Sequence, residues 1–109
     1  VKPENRIVAN ILTALRRRGI YARRIHGTGW QQPGLPDVIC CVAGMLVGLE
    51  VKTETGRLSK IQEREIGLIR KAGGVAGVVR SVAEALAIVE DVEARWGCSS
   101  RVSGRMERR

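Results

Sequence analysis

Aromatic residues are scarce in this 109-residue chain, which has no phenylalanine and only Tyr21, Trp30 and Trp96 as rings. A platform that stacks the bases of a single strand needs several exposed rings, so that mode of binding is excluded. Histidine occurs once, at His26, which rules out a multi-histidine metal centre and leaves a loop residue, a phosphate contact or a proton carrier. The three cysteines are equally uninformative as a framework. Cys40 and Cys41 are adjacent in an apolar run and Cys98 is remote, a spacing that fits neither a disulfide scaffold nor a zinc site. They are expected to be reduced, with the adjacent pair at least partly buried. No apolar run is long enough to span a bilayer, and no charged-then-apolar leader opens the chain. A soluble cytoplasmic protein with no membrane partner is expected.

Acidic residues are also in deficit, at 11 against 19 Lys and Arg, for a formal net charge of +8. Such a surface attracts a phosphate backbone and releases its counterions on binding. The charge is clustered: Arg16, Arg17 and Arg18 end the first helical pattern, Arg23 and Arg24 follow, and Arg101, Arg105, Arg108 and Arg109 load the tail. Taken singly, Arg16 to Arg18 fit a helix C-terminal dipole as well as they fit DNA. Collectively they favour an anionic polymer. With Lys60, at the start of a later helix, they form the expected DNA-binding set.

At 44% hydrophobic, the chain suits one domain with its own core. Residues 1–96 are read as that domain, and 97–109, which lack apolar periodicity, as a basic flexible tail. Residues 3–18 predict a helix with Pro3 in its first turn, Ile7, Val8, Ile11, Leu12 and Leu15 on one face, and Gly19 as its stop. A short strand over 20–25 follows. Residues 26–36 are rich in glycine and proline, and Trp30 there either packs over the loop or wedges against a base. Strand-like runs at 38–42 and 45–51 flank Ala43-Gly44. A helix over 60–72, a strand over 75–79 and a third helix complete the order αβββαβα. Ser59-Lys60-Ile61-Gln62 and Ser81-Val82-Ala83-Glu84 both fit the capping-box pattern at the starts of these helices.

The chemistry concentrates in the hairpin. If Ala43 and Gly44 form a two-residue loop, paired residue numbers sum to 87, and Asp37 lies opposite Glu50. Opposed residues have Cβ atoms roughly 4.5–5.5 Å apart. Lys52 then falls on the same face as Glu50, because side chains alternate with period two. A three-residue loop or a bulge would shift the register and break the arrangement. Two carboxylates this close need a cation or a shared proton. Hard oxygen ligands suit Mg²⁺ or Mn²⁺, with remaining positions for water and phosphate oxygens, and Lys52 can orient the attacking water or pair with the scissile phosphate. The plain alternative is a turn residue after Pro36 and a surface ladder of Glu50 and Lys52.

On these residues the chain resembles a VRR-NUC domain, a branch of the PD-(D/E)xK nuclease superfamily found in phages and in DNA repair enzymes. The resemblance covers most of residues 4 to 90 and includes Glu4, Gly34-Leu35-Pro36-Asp37, Leu49-Glu50-Val51-Lys52, Gly56-Arg57-Leu58-Ser59-Lys60-Ile61-Gln62 and Gly73-Gly74. It implies a restriction-endonuclease-like α/β fold, a short mixed sheet flanked by helices. It further implies that Asp37, Glu50 and the Val51 carbonyl ligate Mg²⁺ or Mn²⁺, that Lys52 is the catalytic lysine, and that Glu4 and Gln62 complete the site from flanking helices. Gln62 thus has two readings, helix cap and catalytic helper, which are compatible.

The implied activity is metal-dependent endonucleolytic cleavage of DNA, selected by shape, in replication, recombination or repair. A Holliday-junction resolvase acting as a homodimer is the leading form, because one site per chain cuts a four-way junction symmetrically only in pairs. A phage-encoded protein of this kind would work in the host cytoplasm without a nucleotide cofactor. The alternatives are a flap endonuclease, a non-catalytic DNA-binding module and a sequence-specific restriction enzyme, although so short a chain has little room for base-reading loops.

Overall fold

Ala43 and Gly44 do form a two-residue turn, with positive φ at both (53° and 82°). That is the mark of a type I′ hairpin, whose twist matches its strands. Ala43 occupies this left-handed region despite its Cβ. The computed structural model describes residues 2–25 and 32–97. His26, Trp30, Cys98 and the rest of the expected 97–109 tail beyond Gly97, with Arg101, Arg105, Arg108 and Arg109, lie outside the described residues.

The element order is α1 (Pro3–Arg17), β1 (Tyr21–Arg24), β2 (Val38–Val42), β3 (Met45–Val51), α2 (Lys60–Lys71), β4 (Val75–Val79) and α3 (Val82–Trp96). Each matches an expected element, with ends moved by a residue or two where terminal turns leave regular geometry. α1 stops one residue short of the expected 18 because Gly19, at φ 76°, closes it: its N–H donates to Arg16 O and the Ile20 N–H reaches back to Leu15 O. α2 ends the same way, one residue before Ala72, through Gly73 at φ 101° and the Gly74 N–H on Ile69 O. Both are Schellman closures, in which glycine accepts the left-handed conformation without a Cβ penalty. Ile20 and Ile25 flank β1 rather than extending it.

The four strands lie side by side in chain order, β1-β2-β3-β4, antiparallel until β3 pairs with β4 in parallel. This is the expected mixed sheet between helices. Val38, Cys40, Val42, Val47, Leu49 and Val51 share one core with Val8, Ile11 and Leu15 of α1 and Ala85, Val89 and Val92 of α3. α2 covers the opposite face, where Ile69 lies over Gly48. β3 is therefore buried on both faces from Val47 to Val51. Cys40 is buried and burial pushes its thiol up to about 11, whereas Cys41, one step along, is exposed. No helix among the described residues is long and apolar enough to cross a membrane.

Candidate active site

The hairpin pairs Val42 with Met45 and Val38 with Leu49, so each couple sums to 87 as expected. One further step brings Asp37 opposite Glu50. Asp37 Oδ2 accepts from the Val51 N–H at 2.8 Å, which fixes its carboxylate against the outgoing strand. Its main chain is tied as well, since its carbonyl accepts from the Ile25 N–H at 2.8 Å.

Asp37 is delivered to this place by two residues of the segment just before it, Pro36 and Gly34. Pro36 is fully buried and packs over Gly48, where an added Cβ would sit 2.9 Å from Pro36 Cγ and 3.1 Å from Ile69 Cδ1. Gly34 has φ 85°, and a side chain there would collide with Ile61 at the start of α2. The Gly34 to Asp37 segment thus wedges between β3 and α2. Sequence reading picked out these residues as a motif but missed the partner role of Gly48, since nothing local distinguishes a glycine that makes room from one that bends.

Glu50 is the buried charged residue of the described chain, 2% exposed. Three groups meet it. Gln62 Nε2 donates to Glu50 Oε2 at 2.8 Å, and Lys52 Nζ lies 3.6 Å from the same oxygen. The third is Asp37, whose charge acts on it. Desolvation first, then the Asp37 charge, lift the Glu50 carboxyl to about 8 against the opposing pull of Lys52. A carboxylate so placed is short of positive charge.

Gln62 forms the helix cap read for it and also reaches Glu50. Its Oε1 accepts from the Ser59 N–H at 2.9 Å, and its own N–H donates to Ser59 Oγ at 3.2 Å, completing the capping box. Its amide nitrogen remains for Glu50. The two partners dictate the orientation of the amide, since the oxygen must face a donor and the NH₂ group an acceptor. The second expected box is only half formed: Ser81 Oγ accepts from the Glu84 N–H, but Glu84 Oε1 takes the N–H of Arg80 rather than that of Ser81.

Glu4 is not gathered into this cluster. It is half-buried in the first turn of α1 and lines a cavity of about 330 Å³ with Lys2, Pro3 and Thr53, the residue following Lys52. Among the described residues, no three His, Cys, Asp or Glu side chains converge as a metal set, so the acidic pair is Asp37 and Glu50.

The basic residues divide. Arg16 donates to Ala22 O, Arg18 pairs with Glu90 at 3.0 Å, and Arg24 donates to Asn5 Oδ1 at 2.6 Å. Arg23 lies 4.3 Å over the Tyr21 ring and donates to Ala22 O. Arg17 and Lys60 are exposed and have no such partner among the described residues. Arg80, which sequence reading passed over, sends its guanidinium to the carbonyls of Thr53 and Gly56 at 2.5 and 2.8 Å. An arginine after a strand carries no sequence signal for that.

No protein-family model matches the sequence, and no curated protein matches it either. Solved structures do resemble it. One described as a VRR_NUC domain superposes with a TM-score of 0.67 at 23% identity, covering 88% of this chain and 99% of its own. A second, described as a VRR_NUC domain protein, gives 0.67 at 14% identity over 84% and 88%. A Holliday junction resolvase from the archaeal hyperthermophile Archaeoglobus fulgidus gives 0.55 at 23% identity over 71% and 67%. The chain therefore has the restriction-endonuclease-like α/β fold that these VRR_NUC structures and the archaeal resolvase share.

Proposed function

We propose that this chain is a VRR-NUC nuclease, a divalent-metal-dependent endodeoxyribonuclease that hydrolyses phosphodiester bonds in branched DNA. The observation that carries the reading is the buried Glu50 carboxyl beside Asp37, with Lys52 and Gln62 converging on it. The donor set fits a hard cation: two carboxylates, one of them held up to about 8 by burial and then by the charge of the other, beside the main chain of Val51. Asp37, Glu50 and the Val51 carbonyl would hold Mg²⁺ or Mn²⁺. Such an ion, when bound, lowers the pKa of water and offsets charge developing on the phosphate.

The chain's own groups supply the rest. Lys52 places an ammonium next to Glu50, where it meets the scissile phosphate or holds the attacking water. Gln62 holds one oxygen of Glu50, so that the other can turn to the cation. The amino end of α2 lies at this site and favours a phosphate group. Preference for four-way junctions draws support from the likeness to the archaeal resolvase, and a two-fold dimer is what one site per chain needs to cut such a junction symmetrically.

The test is cleavage of labelled four-way junction, flap and linear duplex DNA with Mg²⁺ or Mn²⁺, comparing the native chain with Asp37→Asn. Metal-dependent cutting that Asp37→Asn abolishes, and that favours the junction, is expected. Binding without cutting of any substrate with either ion would replace this reading by a non-catalytic DNA-binding module.

A further inference from the structure

Lys52 is followed by a tight turn that turns its carbonyls toward one point. The Gly56 N–H closes the turn on Thr53 O at 3.1 Å. The Arg80 Nη1 group stands where the carbonyls of Thr53, Glu54 and Gly56 converge, at 2.5, 3.4 and 2.8 Å. Clustered carbonyl oxygens repel one another, and a permanently charged N–H donor among them offsets this. The site of this clamp is set by the sheet: the Lys52 N–H donates to Val79 O at 3.1 Å, which leaves Arg80 beside the chain just after Lys52. Arg80 is itself anchored, because its N–H donates to Glu84 Oε1 at 2.8 Å.

The turn faces the lysine. A methyl group at Gly56 would lie 3.4 Å from both Lys52 Cβ and Cδ, so the turn runs alongside the aliphatic stem with space for no more than about one methyl between them. The Lys52 side chain is 14% exposed, with Nζ 3.6 Å from Glu50 Oε2. A long side chain with four rotatable bonds would otherwise sample many rotamers. The same turn leads to Ser59 and Gln62, and so joins the β3 half of the site to the α2 half.

We infer that Arg80 is a positioning residue for Lys52: its guanidinium holds the Thr53–Gly56 turn closed against the lysine stem and thereby aims Nζ into the site. The inference rests on the nuclease reading for its catalytic consequence, but not for its geometric one. Two readouts on Arg80→Ala and Arg80→Lys test it. The first is kcat and KM for cleavage of a labelled four-way junction with Mg²⁺. The second is the rate at which an amine-reactive ester acylates Lys52 in the protein alone, read by mass spectrometry.

For Arg80→Ala, kcat is expected to fall on the order of 100-fold, the scale of a misplacement near 1 Å, with KM changed much less. Lys52 is expected to be acylated faster than in the native chain. Arg80→Lys, whose ammonium sits on a shorter side chain and so falls short of the point where the carbonyls converge, should restore part of both, and it carries the test if Arg80→Ala does not fold. A rise in KM with kcat unchanged would make Arg80 a DNA contact and overturn the inference, as would unaltered acylation of Lys52. If the native chain cuts no DNA, the nuclease reading fails, and the acylation rates still decide the positioning role.

Discussion

Gln62 donates to Glu50 Oε2 at 2.8 Å while its own oxygen accepts from the Ser59 N–H at 2.9 Å, so one amide couples the start of α2 to the buried carboxyl of β3. The coupling places a helix end at the site and gives Glu50 a neutral donor in addition to the Lys52 charge. It also makes the two roles of Gln62 separable by mutation.

Ser59→Ala removes the cap oxygen and leaves the Glu50 contact, so it should cost about 1 kcal/mol of stability with cleavage largely retained. Gln62→Glu keeps an oxygen for the Ser59 N–H but turns a second carboxylate toward Glu50, and should depress cleavage far more than stability. Urea unfolding and single-turnover cleavage on the two variants check this. Equal loss of cleavage in both would mean that the site depends on the helix cap and not on the amide nitrogen.

Glu50 makes stability depend on pH. Its carboxyl is held at about 8 in the folded chain against 4.5 as the ordinary value, so between these values the folded state binds more protons than the unfolded. The contribution is fully present below about pH 4.5 and is lost as pH rises through about 8. Urea midpoints without metal should therefore fall between pH 5 and pH 8.5 more steeply for the native chain than for Glu50→Gln. Added Mg²⁺ should stabilise the native chain most at the upper end, where no proton competes for the carboxylate. Parallel pH profiles for the native chain and Glu50→Gln would show that Glu50 is not held protonated.

The hairpin was legible because a two-residue turn fixes register by arithmetic, and the alternation of side chains then assigns Asp37, Glu50 and Lys52 to one face. The helix stops were legible because Gly19 and Gly73-Gly74 act locally. Contacts between distant segments were not. Pro36 over Gly48 and Arg80 on the Thr53–Gly56 turn span 12 and more than 20 residues of sequence, and neither leaves a local pattern. Even the second capping box misled in part, since Glu84 had a choice of two adjacent N–H donors and took Arg80.

Gly48→Ala tests how Asp37 is delivered. The added methyl would lie 2.9 Å from Pro36 Cγ and 3.1 Å from Ile69 Cδ1, both in packed surroundings. Overpacking of this kind costs about 1–3 kcal/mol. Displacing Pro36 also moves the next residue, so cleavage should fall beyond what the unfolded fraction accounts for. Thermal unfolding with cleavage measured well below the midpoint separates the two effects. Full cleavage in the folded fraction would show that Ile69 gives way and Pro36 stays.

The arginines at the end of α1 should not behave alike. Arg16 bonds the Ala22 carbonyl and Arg18 pairs with Glu90, so each has a structural occupation, whereas Arg17 is exposed without such a partner among the described residues. Arg16→Gln should cost about 1 kcal/mol of stability through its lost hydrogen bond. Arg18→Gln should change stability by less than about 1 kcal/mol, as exposed ion pairs do. Arg17→Gln should leave unfolding unchanged and weaken DNA binding across all sequences, lowering the salt slope by about 1 if it meets one phosphate. Fluorescence-anisotropy titrations over a range of salt concentrations provide the slope. An unaltered slope for Arg17→Gln would take the end of α1 out of the DNA path, because the remaining two arginines there already answer to the protein's own oxygens.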